Sequence, residues 1–151
     1  MTGYDIRFER VVEATPHAAF SHWLDPEAQR RWYAPDDGWV VDSEADLRVG
    51  GTWRVEFGPS REETYVEHGV FEELDPPHKA VYTVNHEYPD GRKPYLTRVT
   101  VTFAPHERGT LLTLLDTGFP SAAQRDEIEG GWPSFLDAFE RTLLGATPPP
   151  S

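Results

Sequence analysis

The chain contains no cysteine among its 151 residues, and only 14 of them are lysine or arginine. The missing thiols exclude disulfides, thiolate metal sites and a cysteine nucleophile. With 26 acidic residues the formal net charge is -12, which disfavours binding to nucleic acid or anionic lipid. No apolar run approaches the roughly 20 residues of a membrane span, and no N-terminal segment has a secretory signal pattern. We therefore expect a soluble cytoplasmic protein with neither nucleic acid nor membrane as its partner.

Aromatic residues are abundant by contrast, with five Trp, six Tyr and eight Phe making up 13% of the chain. Aromatic rings fill protein cores, and they also line pockets for flat, apolar ligands. The length suits one domain that buries a hydrophobic core. We predict a single domain over residues 1–146, followed by a disordered, proline-rich tail at residues 147–151.

Local signals predict a strand, two short helices, six strands and one long helix, in that order. The first strand covers Tyr4 to Glu13, where apolar and polar side chains alternate. Thr15-Pro16 and Asp25-Pro26 each combine a capping residue with a proline at the first helical position, so a helix begins at each; the second runs to about Tyr33. The six strands are separated by Gly, Pro and Asp turns and cover Trp39 to Ala45, Thr52 to Phe57, Glu63 to Leu74, Lys79 to Glu87, Tyr95 to Phe103 and Thr110 to Thr117.

The last helix has a single apolar face. Its apolar residues recur at spacings of three and four: Ile128, Trp132, Phe135, Leu136, Phe139 and Leu143. This face must pack against the sheet, and we expect Trp132 in a packed site. Pro133 predicts a kink that would help the helix arch over a cavity. The fold class is therefore α+β, with a curved antiparallel sheet wrapped around a long C-terminal helix and an internal cavity.

Five local motifs occur in order along the chain. They are residues 32–35 (Trp-Tyr-Ala-Pro), 46–55 (a Gly-Gly turn into Thr-Trp-Arg-Val), 69–77, 109–114 and Gly131-Trp132. Together with the element order, they resemble the START-like (SRPBCC) superfamily, and within it the group named after the C-terminal domain of the heat-shock-protein-90 ATPase activator. The resemblance covers essentially the whole chain. It implies a helix-grip fold and a hydrophobic ligand such as a lipid, a polyketide or a plant hormone.

Strand parity indicates which side chains face the closing helix. We expect a ligand to contact the residues of that face, since it would lie between sheet and helix. The ligand-binding candidates are Trp53, Val55, Phe57, Tyr82, His86, Val99, Val101, Leu112, Leu114 and Asp116 on the strands, and Trp132, Phe135, Leu136 and Phe139 on the helix. The facing of residues 64–74 stays open, because both parities of that strand carry apolar side chains.

His86, Asp116 and Tyr82 are the candidates for catalysis. A histidine beside a carboxylate can act as general acid and base, and His86 would form such a pair with Asp116 or Glu73. Asp116 stands where members of the resembled family often carry histidine. The alternative is that Asp116, at the end of its strand, is solvated or bound to nearby backbone amides, and that the histidines are ordinary surface or core residues.

Arg10 lies on the apolar parity of the first strand. It would bind either a ligand carboxylate or a structural carboxylate, both through its planar guanidinium group.

No motif for a metal, a phosphate or a dinucleotide is present, so we expect no cofactor and no metal site. Three functions remain open. The first is binding of a small hydrophobic or aromatic molecule by a monomer or homodimer. The second is an enzyme of the cyclase, dehydratase or hydrolase type that acts on a polyketide-like substrate in the same cavity. The third, an ATPase-stimulating co-chaperone, is implied by the family name alone.

Overall fold

The computed structural model describes residues 4–34 and 38–146. The tail predicted for residues 147–151 lies outside these ranges. The elements, in chain order, are β1 (Tyr4–Val12), α1 (Pro16–Leu24), α2 (Pro26–Trp32), β2 (Val40–Ala45), β3 (Thr52–Ser60), β4 (Glu63–Asp75), β5 (Lys79–Glu87), β6 (Tyr95–His106), β7 (Gly109–Phe119) and α3 (Ala122–Ala146).

All seven strands form one antiparallel sheet in the order β1-β7-β6-β5-β4-β3-β2. Strands β2 to β7 are joined as successive hairpins, and β1 completes the sheet by pairing with β7, for example Phe8 opposite Leu114. The sheet and the long closing helix confirm the predicted α+β helix-grip fold. Four strands extend past their predicted ends: β3 to Ser60, β4 to Asp75, β6 to His106 and β7 to Phe119.

The two short helices begin where the capping signals predict. The Thr15 hydroxyl accepts a hydrogen bond from the Ala18 backbone N–H at 3.1 Å, and the Asp25 carboxylate accepts one from the Glu27 N–H at 3.1 Å. A proline follows each cap, at a position where a missing N–H costs nothing. Each cap therefore fixes where its helix begins in the connection from β1 to β2.

The core is an aromatic cluster centred on Trp23 of α1. Its ring lies 4.8 Å from that of Trp32, 5.1 Å from Phe139 and 6.2 Å from Phe103. The cluster therefore ties α1, α2, α3 and the sheet together. Edge-to-face and offset ring pairs of this kind add about 0.5–1.5 kcal/mol each beyond the burial of their area.

Helix α3 packs unevenly along its 25 residues. Its first fully buried residue is Leu136, and from there Ala138, Phe139 and Leu143 lie in the core. The helix continues through Pro133, so the kink predicted there stays a prediction. The half of α3 before Leu136 covers the sheet without filling the space beneath it.

Candidate functional site

A cavity of about 230 Å3 lies between the sheet and the first half of α3. Its walls are mainly aromatic and aliphatic, with five acidic or histidine side chains among them. The aromatic lining consists of Trp32, Tyr33, Trp39, Phe57, Tyr65, Tyr82, Tyr88, Trp132 and Phe135. The other lining residues are Val66, Val84, Val99, Ile128, Gly131, Glu67, Glu87, Glu127, Asp116 and His86.

The aromatic wall is built by contacts between sheet and helices. The Phe57 ring of β3 lies 5.1 Å from Tyr33 and 5.8 Å from Phe135, both in edge-to-face geometry. On the other side, Trp132 stacks on Trp23 at 5.9 Å with an interplanar angle of 11°. Trp132 is partly buried. One part of it packs on Trp23 against the core, and another part lines the cavity.

A chain of polar groups forms the base of the cavity. His86 of β5 is 4% exposed, and its Nε2 lies 2.9 Å from the hydroxyl of Thr97. Its Nδ1 lies 3.7 Å from the Glu67 carboxyl, which also accepts a hydrogen bond from the Tyr33 hydroxyl at 3.4 Å. Burial lowers the pKa of His86 to about 4, so the imidazole is neutral at pH 7.

Two carboxyl groups share this base. Asp116 of β7 is 1% exposed, and its Oδ1 atom has no hydrogen-bond partner among the described residues. Burial raises the pKa of Asp116 to about 7, although the nearby Thr97 hydroxyl and Trp132 indole oppose the rise. Burial, reinforced by the charge of Asp116, raises the pKa of Glu67 to about 8. Both groups therefore titrate near neutral pH. The alternative of a solvated Asp116 is wrong, because the side chain is 1% exposed.

The rim of the cavity carries two further carboxylates, and both of these have partners. Glu87 Oε2 lies 2.6 Å from His68 Nε2, and the Arg92 guanidinium donates to Glu127 at 3.0 Å. The same guanidinium lies 4.1 Å above the Tyr88 ring. Because Glu87 and Glu127 are exposed, the cavity opens to solvent at this rim.

The structure places half of the predicted ligand-binding residues at the cavity. Those that line it are Phe57, Tyr82, His86, Val99, Asp116, Trp132 and Phe135. Those that lie in the packed core instead are Trp53, Val55, Val101, Leu112, Leu114, Leu136 and Phe139. One reason is that α1 packs on β6 and β7, where the Phe20 and Phe103 rings lie 5.7 Å apart between centres and no space is left over this part of the sheet.

The three catalytic candidates all line the cavity, but their contacts differ from the predicted ones. Tyr82 accepts a hydrogen bond from the Trp23 indole at 2.8 Å, and burial raises the pKa of its phenol. The predicted pair of His86 with Glu73 is wrong. A β-bulge between Phe71 and Glu73 turns the Glu73 side chain outward, where it lies 3.5 Å from Lys79.

Arg10 contacts structural carboxylates, Asp137 at 2.8 Å and Glu140 at 3.4 Å, both on α3. It therefore ties β1 to the closing helix, and its guanidinium is occupied outside the cavity.

Strand parity alone missed Tyr65 and Glu67 of β4, which also line the cavity; Tyr33 follows α2, where strand parity does not apply. Pairing supplies the missing signal, because directly opposite residues in an antiparallel sheet share a face. Tyr65 lies opposite Phe57, and Glu67 lies opposite Val55. Since those partners face the helix, the odd-numbered residues of this part of β4 face it as well.

Within the described ranges, no three His, Asp or Glu side chains are grouped so that they could hold a metal ion. No helix in those ranges is long and apolar enough to cross a membrane. The side chains that line the cavity can supply apolar contact, hydrogen bonding and proton exchange.

A curved seven-stranded sheet, closed by a long helix over a cavity, defines a START-like protein of the helix-grip type. Residues 13–144 match the model of the family described as Activator of Hsp90 ATPase homolog 1-like protein. The chain belongs to this family.

Solved structures agree with this assignment. A protein from Chromobacterium violaceum is 29% identical, with a TM-score of 0.79 over 91% of this chain and 95% of that one. An AHSA1-like protein from Aeromonas hydrophila is 25% identical, with a TM-score of 0.73 over 95% of this chain and 94% of the other. A protein from Nitrosomonas europaea, 18% identical with a TM-score of 0.77 over 95% and 96%, shares the fold. A comparison with curated proteins found no match.

Proposed function

We propose that the protein binds one small, flat, mostly apolar molecule in the cavity between the sheet and α3. The observation that carries this proposal is the space itself, about 230 Å3 with nine aromatic side chains in its lining. Drug-sized ligand pockets measure about 300–1,000 Å3, and a cavity of about 150 Å3 accepts benzene. The volume therefore suits a ligand of about two fused rings.

The rim supports exchange of this ligand with solvent. Exposed Glu87 and Glu127 mark an opening, and the half of α3 that covers it contains no fully buried residue. A ligand can therefore enter without disturbing the core around Trp23.

A glycine pair on α3 allows a matched test. Gly131 lines the cavity, whereas its neighbour Gly130 is exposed and does not; a Cβ atom on either would meet no atom within 4 Å. Gly131→Leu should fill part of the cavity and weaken binding of the neutral probe 2-methylnaphthalene by about tenfold or more. Gly130→Leu should leave the affinity unchanged.

Quenching of tryptophan fluorescence reports on binding, because Trp32, Trp39 and Trp132 line the cavity. Equal affinities of the two leucine variants, or no saturable binding by the wild type, would contradict the proposal. Native mass spectrometry of the protein purified from its own host identifies a natural ligand as a co-purifying mass.

Catalysis in the same cavity is the second candidate function. The observation in its favour is that neutral His86 lies beside Glu67, with Asp116 in the same cavity, and both carboxyl groups exchange protons near neutral pH. Acids and bases with such pKa values suit the proton transfers of a cyclase, dehydratase or hydrolase. Conversion of a co-purified ligand by the wild type, lost in Asp116→Asn, would make this function the primary one.

A further inference from the structure

We propose that the ligand is an aromatic molecule with a positively charged nitrogen, and that this nitrogen lies between the Glu67 and Asp116 carboxyl groups. The inference rests on the proposed binding function and adds the charge of the ligand to it. It comes from the distribution of charged groups around the cavity.

The cavity lining contains four carboxyl groups and neither lysine nor arginine. The two carboxylates at the rim are already paired, Glu87 with His68 and Glu127 with Arg92. Glu67 and Asp116 at the base have no cationic partner among the described residues. The two carboxyl groups at the base of the cavity are therefore the ones that a cationic ligand could pair with, and its charge would favour their ionised forms.

His86 does not supply this charge. Its Nε2 bonds to the Thr97 hydroxyl, and its Nδ1 lies 3.7 Å from the Glu67 carboxyl, beyond hydrogen-bond distance. It is 4% exposed, and burial lowers its pKa to about 4. A neutral imidazole compensates neither carboxylate.

Asp116 provides an independent indication of a ligand. Its side chain is 1% exposed and lines the cavity, yet its Oδ1 atom has no partner within hydrogen-bond distance among the described residues, and neither has the buried Nε1 atom of the nearby Trp132. A buried acceptor without a partner costs about 1–3 kcal/mol. A donor group on the ligand would remove that cost, and a charged donor would also stabilise the ionised carboxylate.

The aromatic walls suit such a ligand in two ways. Rings such as Tyr33 and Trp132 can stack on the flat part of the ligand, and their faces attract a cation within about 6 Å of the ring centre. A carboxylate ligand would meet two carboxyl groups and no cationic side chain of the lining. The cavity therefore selects against anions.

Three probes of one shape test the inference: 2-naphthylmethylamine as the cation, 2-methylnaphthalene as the neutral form and 2-naphthoate as the anion. At pH 8 and low ionic strength, calorimetric titration should give the ammonium probe at least about tenfold higher affinity than the neutral probe, with the anion weakest. Glu67→Gln and Asp116→Asn should each narrow the ratio of ammonium to neutral affinity by about tenfold. Glu44→Gln, at an exposed carboxylate on β2 away from the cavity, should leave all three affinities unchanged.

The outcomes separate this inference from the function on which it rests. If the neutral probe binds as tightly as the ammonium probe, or the anion binds best, the charge assignment is overturned and ligand binding stands. If the preference for the ammonium probe persists in both Glu67→Gln and Asp116→Asn, those carboxyl groups do not bind the cation and the inference also fails. If none of the three probes binds, the proposed function fails with it.

Discussion

Glu67→Gln should change how the stability of the protein depends on pH. Because its pKa is raised from 4.5 to about 8, folded Glu67 binds more protons than unfolded Glu67 between those pH values. The free energy of unfolding must then fall as the pH rises through that interval. Integration from pH 7 to 8.5 gives a loss of roughly 1 kcal/mol from Glu67, with a smaller contribution from Asp116, whose pKa is about 7.

The histidines act in the opposite direction but at lower pH. Burial lowers the pKa values of His22 and His86 to about 4, so the histidine contribution to stability rises with pH from about 4 to 6.5 and is nearly constant above 7. The interval from pH 7 to 8.5 therefore isolates the two carboxyl groups. The other titratable groups that interact with Glu67 are Tyr33, Tyr82, Tyr95, His86 and Asp116.

Urea unfolding, followed by tryptophan fluorescence at four pH values from 7 to 8.5, measures the effect. The wild type should lose roughly 1–2 kcal/mol across the interval, and Glu67→Gln should lose about 1 kcal/mol less. The control Glu44→Gln replaces an exposed carboxylate on β2 and should keep the wild-type slope. A flat wild-type profile, or equal slopes for the wild type and Glu67→Gln, would refute the assignment of a protonated Glu67.

Two further substitutions test the core around the cavity. Trp132→Ala should lower the free energy of unfolding by about 2 kcal/mol, less than the roughly 3–5 kcal/mol of a fully buried aromatic, since its ring is partly buried and stacks on Trp23. Tyr82→Phe should cost about 1–3 kcal/mol because it leaves the Trp23 N–H without its acceptor. Urea unfolding measures both, with Tyr65→Phe as a hydroxyl-deletion control. A urea midpoint of Tyr82→Phe equal to that of Tyr65→Phe would argue against the hydrogen bond between Trp23 and Tyr82. A loss of more than about 4 kcal/mol in the free energy of unfolding of Trp132→Ala would indicate that Trp132 is fully buried.

Strands and turns were predictable because their signals are local. Alternating side chains and flanking turn residues gave the bounds of β5 as Lys79 to Glu87, which the structure confirms. The Gly50-Gly51 pair marked a tight turn, and Gly50 indeed has φ +85°. A Cβ on Gly51 would lie 2.1 Å from the Asp46 carbonyl oxygen, so only glycine fits there.

Only some of the polar groups at the base of the cavity were predictable from the sequence. His86 and Asp116 follow from parity, although Val81 gives the other face of β5 an apolar residue as well. Glu67 does not, because Val66 and Val70 make the other face of β4 apolar too. Its facing is fixed by pairing with β3, and the outward turn of Glu73 is fixed by a bulge. Both are contacts between strands, which a pattern within one strand cannot contain.

A local sequence pattern also could not predict where along the sheet the cavity lies. Leu112 and Leu114 share a face with Asp116, yet the two leucines are packed and Asp116 borders open space. The difference depends on where α1 and the second half of α3 lie over the sheet, and that follows from the whole assembly of the core.

The uneven packing of α3 separates two tasks along one continuous helix. Residues from Leu136 onward anchor the domain, whereas Ile128, Gly131, Trp132 and Phe135 line the cavity and none of them is fully buried. Substitutions in the earlier turns of α3 can therefore change the lining of the cavity while the later turns keep the fold intact. Replacing residues 122–135 with the corresponding segment of a homologue is thus a route to a new ligand specificity on the same fold.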